Sequence, residues 1–303
     1  MSCSMESECD EEPPAVSVVI PAYSAESTIG RALESAVAQD WRDVEVIVVD
    51  DASVDRTVQV TAGYVSSDGV RVIRHETNRG GSAARNSGAA EADGRWLAFL
   101  DADDAWLPQR LKLALQDLEA SGCEFAIGSF EWFRPERDGS QRCAPLLPPQ
   151  TTQAELLSFP PLGAGSTLIV RKSLFEDVGG FDTSLPRHQD WDLVVRLCER
   201  TQGLVLPGFL AIVHRTGRPR YRAVLLAKRR FLRKHALAVS RLSWSERRRV
   251  RAEHELDLAR YASYERMWSR VVLHLGRVLW LWPPCLIRLL ASRRSGRRVR
   301  QGS

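Results

Sequence analysis

The chain has 303 residues, 44% of them hydrophobic and 26% charged, with a net charge of +4. This balance belongs to a globular protein able to bury a sizeable core, and it excludes disordered, collagen-like and disulfide-scaffold chains. The charge is unevenly spread, since Asp and Glu crowd the first third and arginines crowd Arg218 to Arg300. That asymmetry points to an acidic surface as a partner of the C-terminal region, either anionic lipid or nucleic acid. Cys3, Cys9, Cys123, Cys143, Cys198 and Cys285 form no CxxC pair, so they read as reduced thiols of a cytosolic protein. Residues 1–14 are expected to be a disordered leader, and no run of eighteen apolar residues marks a transmembrane helix.

In chain order, Val16 to Ile20 is a short β-branched strand stopped by Pro21. A helix capped by Ser27 or Thr28 follows, with Ile29, Leu33 and Val37 at helical spacing. Val44 to Val49 is the second strand and runs into Asp50-Asp51. Val54 to Val65 reads as a helix with Asp55 at its positive end. Val70 to Ile73 is a third strand, and Asn78-Arg79-Gly80-Gly81 turns into a small-residue helix, Ser82 to Glu91, closed by Gly94. Trp96 to Leu100 is the next strand, followed by Asp101-Ala102-Asp103-Asp104 and a helix over Pro108 to Leu118. Glu124 to Phe130 is again a strand, and Arg134 to Thr152 reads as a loop. Thr167 to Val170 is a late strand, and Ser173 to Val178 a short helix closed by Gly179-Gly180. Asp190 to Glu199 is a helix with Leu193, Val194 and Leu197 on one face. Leu204 to Val213 is a strand, and Tyr221 to about Leu290 is helical and basic.

Alternating strands and helices with tight links predict an α/β fold, a mostly parallel sheet with helices on both faces. Three strands that end in polar or acidic residues at one rim place hard oxygen ligands where a divalent cation and a diphosphate can be held together. No GxGxxG follows the first strand, which disfavours a dinucleotide-dependent oxidoreductase.

Six motifs in order are VSVVIPAY (16–23), VDDAS (49–53), ARNSG (84–88), FLDADD (99–104), GGFD (179–182) and QDWDL (189–193). On these the chain resembles the family 2 glycosyltransferases of the GT-A fold, over roughly residues 16–216. The resemblance implies a GT-A catalytic domain over 15–216, with a nucleotide-sugar half near 15–105 and an acceptor half near 106–216. A helical basic extension would occupy 217–303. It implies that Pro21 and Tyr23 line the nucleoside pocket and that Asp51 accepts a hydrogen bond from the base. Asp101 would contact the ribose or a metal-bound water, and Asp103 would ligate Mn²⁺ or Mg²⁺. Asp190 would be the general base, although the residues alone leave Asp190 and Asp192 as alternatives. Arg85, Trp191, His214 and Arg215 are candidate contacts to diphosphate or acceptor. Arg85 and Asn86 could equally brace their turn, Trp191 could be a core aromatic, and His214-Arg215 a surface pair.

The chain departs from the family pattern at Ser24, where Asn is frequent, and at Gln189, where Glu is frequent. The second change removes a charge beside Asp190 and should lower its pKa relative to a Glu-Asp pair. The absence of QxxRW favours transfer of one sugar per encounter. Expected partners are a nucleotide-sugar, with UDP favoured, and a glycan or lipid-linked acceptor. The expected location is cytoplasmic, peripheral on the inner face of the plasma membrane. Apolar, Trp-containing residues 268–290 with the arginines after them suit an anionic membrane surface, or else a helix packed on the catalytic domain. A silent sugar-nucleotide-binding protein is the alternative to an enzyme, and a nucleic-acid binder is disfavoured because no recognition motif accompanies the arginines.

Overall fold

The computed structural model describes residues 16–133, 141–143, 152–158, 164–214 and 219–284. The first part runs β1 (Val16–Ala22), α1 (Ile29–Val37), β2 (Val44–Asp50), α2 (Thr57–Asp68), β3 (Val70–Arg74), α3 (Gly81–Ala90) and β4 (Trp96–Phe99). The second runs β5 (Ala105–Trp106), α4 (Arg110–Ser121), β6 (Phe125–Phe133), β7 (Gln141–Cys143), α5 (Gln153–Ser158), α6 (Ala164–Thr167), β8 (Leu168–Arg171), α7 (Lys172–Asp177), α8 (Gln189–Cys198) and β9 (Leu204–His214). Four helices follow: α9 (Tyr221–Lys234), α10 (Ala236–Arg241), α11 (Trp244–Tyr264) and α12 (Trp268–Leu281).

One sheet takes the strand order β3-β2-β1-β4-β8-β6-β9-β5, with β7 added beside β6. The four strands β3, β2, β1 and β4 are parallel; the inner β2, β1 and β4 have both faces covered, which explains their nearly unbroken apolar runs, whereas edge strand β3 is largely exposed. Val19, Ile47, Val49, Leu97 and Phe99 face one core with α3, α7 and α8. Val18, Ile20, Val46, Val48, Trp96 and Ala98 face the other with α1 and α4. β8 then joins β4 and β6 antiparallel, and β9 runs parallel to β6. Register between β6 and β9 slips where Gly128 faces Leu206 and Ser129 faces Phe209. Pro207, which has no N–H to give the ladder, and Gly208, at φ +87°, fill that slip.

In-register pairing aligns the strand ends. Ala22 lies level with Asp50 and Val19 level with Phe99, so the segments after β1, β2 and β4 open at one rim. Several sequence-based boundaries shift for identifiable reasons. α2 starts at Thr57 because Asp55 accepts from the Thr57 N–H and hydroxyl, while its other oxygen accepts from the Glu26 N–H. Gly94 does not close α3, which ends at Ala90. It instead lies against β1, donating its N–H to Ser17 Oγ at 2.8 Å. The loop expected over Arg134 to Thr152 contains β7, which pairs with residues 130–132 of β6. The rest of that segment before Thr152 lies outside the described residues, as do 1–14 and the arginine-rich end beyond 284. The basic helical region is four helices rather than one run, and α11 opens with a reciprocal capping box between Ser243 and Glu246. Among the described residues no helix is long and apolar enough to cross a membrane.

A Cβ on Gly94 would stand 2.6 Å from the Ser17 backbone nitrogen, a contact that only backbone movement relieves. Gly94→Ala is therefore expected to destabilise the fold by about 3 kcal/mol in denaturant unfolding, the upper range for overpacking.

Candidate active site

The rim where β1, β2 and β4 end is a cleft of about 440 Å³. Pro21, Tyr23, Asp51, Arg85, Asp101 and Asp103 all line it. A broader depression lined by Gln39, Asp40, Trp41, Arg42, Asp43 and Lys112 contains none of the residues singled out in the sequence.

On one wall the loops are fixed by backbone donors. Ser24, at φ +49°, gives its N–H to Ser53 Oγ, and Ala25 gives its N–H to Thr57 Oγ1. Tyr23 remains 53% exposed beside them, free to meet a flat ring. Asp51 is buried and accepts from His75 Nδ1 at 2.7 Å, the Arg79 N–H at 2.8 Å and the Gly80 N–H at 2.7 Å. Burial pushes its carboxyl up, but these donors outweigh burial and hold it below the usual range. Three of its roughly four acceptor sites are thus committed, two to the turn that opens α3 and one to His75 just after β3. Asp50 faces away, held by Arg74 and the Ser53 N–H.

The floor is acidic. Carboxylate oxygens of Asp101, Asp103 and Asp104 come within 4.8 Å of one another. Asp104 was part of the sequence motif but carried no assigned role; it is buried, with Ser166 Oγ donating to one oxygen and the His214 N–H to the other at 2.8 Å. Burial, then Asp101 and Asp103, push its carboxyl well above the ordinary value. Arg31 grips the loop from outside by donating to the Asp103 carbonyl. Ser166 Oγ also accepts the Asp101 N–H, while Trp106 Nε1 and Arg110 Nη2 hold the carbonyls of Ser166 and Thr167. Gly165 lies so close that a Cβ there would stand 2.9 Å from Asp101 Oδ2. Three carboxylates converging with one destabilised by the others make a hard-oxygen donor set that suits a divalent cation.

Arg85 donates to Asp101 Oδ1, and its guanidinium lies 5.4 Å from the Phe181 ring centre. Its neighbour Asn86 does not face the cleft. It clamps the GGFD turn, donating to the Phe181 carbonyl at 2.8 Å and accepting the Phe181 N–H at 2.9 Å. Of the two readings of this pair, bracing describes Asn86, whereas Arg85 lines the cleft.

The first turn of α8 carries Asp190 and Asp192, and their surroundings differ completely. Asp190 is partly exposed. Burial and the charge of Asp101 raise its carboxyl, while Arg85 and the Trp191 N–H pull it down. Asp190 therefore sits within electrostatic reach of the acidic floor. Asp192 has no exposed surface and is saturated by Arg196 at 2.7 Å, Lys234 at 2.9 Å and His235 at 2.9 Å. Burial alone would raise its carboxyl, but the His235, Arg196 and Lys234 contacts leave it lowered. Arg196 also donates to the carbonyls of Val178 and Gly180, and Lys234 reaches Asp182 at 2.6 Å. α8, the GGFD turn and α9 thus share one buried anion.

Three of the candidate contacts fare differently. Trp191 cannot meet a sugar, because it is fully buried, stacked 4.0 Å from Phe231 and 5.4 Å from His254, with Nε1 bound to the Leu156 carbonyl. His214 meets the acidic loop through its backbone, and burial and Arg31 lower its imidazole pKa. Arg215 lies outside the described residues.

The model of "Glycosyl transferase family 2" matches residues 17–179. The chain belongs to that family. It is 30% identical over 194 residues to an uncharacterized glycosyltransferase of Haemophilus influenzae, covering 61% of this chain and 62% of that one. It is 36% identical over 194 residues to the amylovoran biosynthesis glycosyltransferase AmsB of Erwinia amylovora, covering 59% of this chain and 62% of that one. A third relative is WfgD of Escherichia coli, named a UDP-Glc:α-D-GlcNAc-diphosphoundecaprenol β-1,3-glucosyltransferase. It is 32% identical over 116 residues, 38% of this chain and 46% of WfgD. These matches span less than two thirds of each relative's own length. Among solved structures, residues 1–349 of Staphylococcus aureus TarS superpose with TM-score 0.63 at 22% identity, covering 88% of this chain and 81% of that one. The mannosyltransferase PcManGT of Pyrobaculum calidifontis, in complex with GDP-Man and Mn²⁺, gives 0.61 at 17%, covering 94% and 81%. The fold of this family 2 member is GT-A, with C-terminal helices added.

Replacing Asp192 by Asn leaves Arg196 without its carboxylate, Lys234 with Asp182 alone, and buried His235 without its anionic partner. The expected cost is about 3 kcal/mol or more at neutral pH, by thermal or denaturant unfolding. Because the folded pKa of Asp192 is lowered, its contribution is full above the ordinary carboxylate value and is lost as pH falls through the folded one. The gap between the parent and Asp192→Asn should therefore narrow as pH drops below about 4.

Proposed function

We propose that this chain is an inverting, metal-dependent glycosyltransferase that moves one sugar from a nucleotide-sugar to a hydroxyl of a glycan or lipid-linked acceptor. The observation that carries the reading is the convergence of Asp101, Asp103 and Asp104 beside Arg85, with Asp190 coupled to the same cluster from α8. UDP is the favoured donor base, supported by the name of WfgD and by the UDP-GlcNAc complex of TarS. The name of WfgD also supports a lipid-linked acceptor, and on this reading the enzyme would work at the cytoplasmic face of a membrane.

In this reading Pro21 and Tyr23 flank the nucleoside and Asp51 fixes the loop beneath it, with its remaining acceptor site toward the base. Asp101 and Asp103, backed by Asp104, would hold Mn²⁺ or Mg²⁺. When bound, the cation neutralises the charge that builds on the leaving diphosphate. Arg85 adds a fixed positive charge on the same side, and Asp101 keeps it oriented. Asp190 takes the proton of the acceptor hydroxyl as the oxygen bonds to the anomeric carbon and the bond to the diphosphate oxygen breaks. A single base opposite the leaving group gives inversion without a covalent intermediate. The raised pKa of Asp190 suits a proton acceptor, and the saturation of Asp192 by its partners supports the choice of Asp190 over it. Residues 15–216 would form the catalytic unit, with 217–303 as its helical extension.

Asp190→Asn should lower kcat by about 10²–10⁴-fold while metal-dependent nucleotide binding persists in calorimetry. For the parent, the acid limb of kcat/KM should have its midpoint above the ordinary carboxylate value of about 3.9, since the base must be deprotonated and its pKa is raised. Asp103→Ala should abolish UDP binding in Mn²⁺ and resemble the parent in chelator. Unchanged Mn²⁺-dependent binding in that variant would remove the metal assignment.

A further inference from the structure

α12 has two apolar faces, and only one of them is used. His274, Val278 and Leu281 are buried, packed with Ala252 and Leu256 of α11. On the other side Trp268, Val272, Leu279 and Trp280 are 63%, 72%, 56% and 73% exposed, and Leu273 is 42% exposed. At 3.6 residues per turn these five positions fall within an arc of roughly 140°. Arg270 and Arg277 border that arc, and both are exposed. Trp244 at the start of α11, 65% exposed, extends the patch: the Arg248 guanidinium lies 4.6 Å from its ring centre and 5.1 Å from that of Trp280. Arg248 is held there by donating to the Leu281 carbonyl at 2.8 Å, so the aromatic pair is fixed by the fold.

A contiguous exposed patch with three tryptophans marks a surface that meets something apolar. Charge selects the occupant. From Arg266 to the last residue the sequence contains nine arginines and no Asp or Glu. A second copy seated on this face would bring two such arginine-rich stretches together, whereas an anionic lipid surface would neutralise them. With 14 residues α12 is too short to span a bilayer, and an apolar arc with a basic border suits a helix lying in the interface plane.

The geometry points to α12 as an interfacial helix that seats the enzyme on an anionic membrane. Trp268, Val272, Leu279 and Trp280 enter the boundary between headgroups and acyl chains, and Arg270 and Arg277 meet the lipid charge. This deepens the membrane placement proposed above, but it rests on α12 and its flanks alone and needs no part of the sugar chemistry.

The full chain, without nucleotide or acceptor, is sedimented with vesicles of phosphatidylcholine alone or mixed with phosphatidylglycerol. The expected result is binding to the mixed vesicles, weaker by about tenfold or more on phosphatidylcholine alone and weakened by salt. Trp268→Ser with Trp280→Ser should weaken partitioning on mixed vesicles by about a hundredfold, roughly tenfold for each aromatic kept in water. Both side chains are exposed, so unfolding temperature should not move; should that pair fail to fold, Val272→Ser with Leu279→Ser poses the same question. No pelleting of the parent with mixed vesicles overturns the inference. So does parent-like binding by the variants, which would assign attachment to the basic end alone. A parent dimer that the variants convert to monomer, with no vesicle binding, would give the face to a second copy. Metal-dependent nucleotide binding measured on the same proteins separates the two proposals, since its persistence alongside failed vesicle binding removes only the membrane inference.

Discussion

Two oxygens of one buried carboxylate, Asp192, tie three separate stretches of chain together. Arg196 belongs to the same helix, and through it the Val178 and Gly180 carbonyls of the GGFD turn are fixed. Lys234 and His235 come from the end of α9, beyond the residues matched by the family model. A buried anion held by two cations and a histidine is costly to desolvate and far more costly to leave half-paired. The position of Asp190, two residues earlier, is inherited from this arrangement. The α8 side of the site is therefore set partly by helices beyond the residues that the family model matches.

The donor side is built on a different principle. Parallel pairing brings the ends of β1, β2 and β4 level, so loops distant in sequence open side by side. Each loop is then fixed by side chains accepting or donating to backbone: Ser53 and Thr57 on the Tyr23 loop, Asp51 on the α3 turn, Ser166 on the acidic loop. Very little of this wall depends on long flexible side chains. Arg85 is the exception, and it is stiffened by Asp101 and by the Phe181 ring.

Much of this was legible in sequence because it is local. Strands covered on both faces announce themselves as apolar runs, and their acidic ends follow directly in the chain. What escaped was held by pairs far apart in sequence: Ser166 lies 62 residues from Asp104, Arg31 lies 72 from Asp103, and His235 lies 43 from Asp192. No local pattern marks such partners. Of the two readings of Trp191, the core aromatic is the one the structure shows. It is one helical turn from Val194 and Val195, which share its core, so the apolar face of α8 already claimed it. Gly94 was misread because a glycine after a helix resembles a terminator, whereas here it lets two backbone segments approach.

Asp51 has one more consequence. The first N–H groups of a helix ordinarily offer a landing place for phosphate. Here Asp51 takes the N–H groups of Arg79 and Gly80 just ahead of α3, so the chain's own anion already occupies the entry to that place. A diphosphate entering the cleft meets the carboxylates of Asp101 and Asp103, with Asp104 buried behind them. Under the proposed function, the free concentration of divalent cation would then govern donor occupancy, making the enzyme as responsive to the ionic composition around it as to the supply of sugar nucleotide.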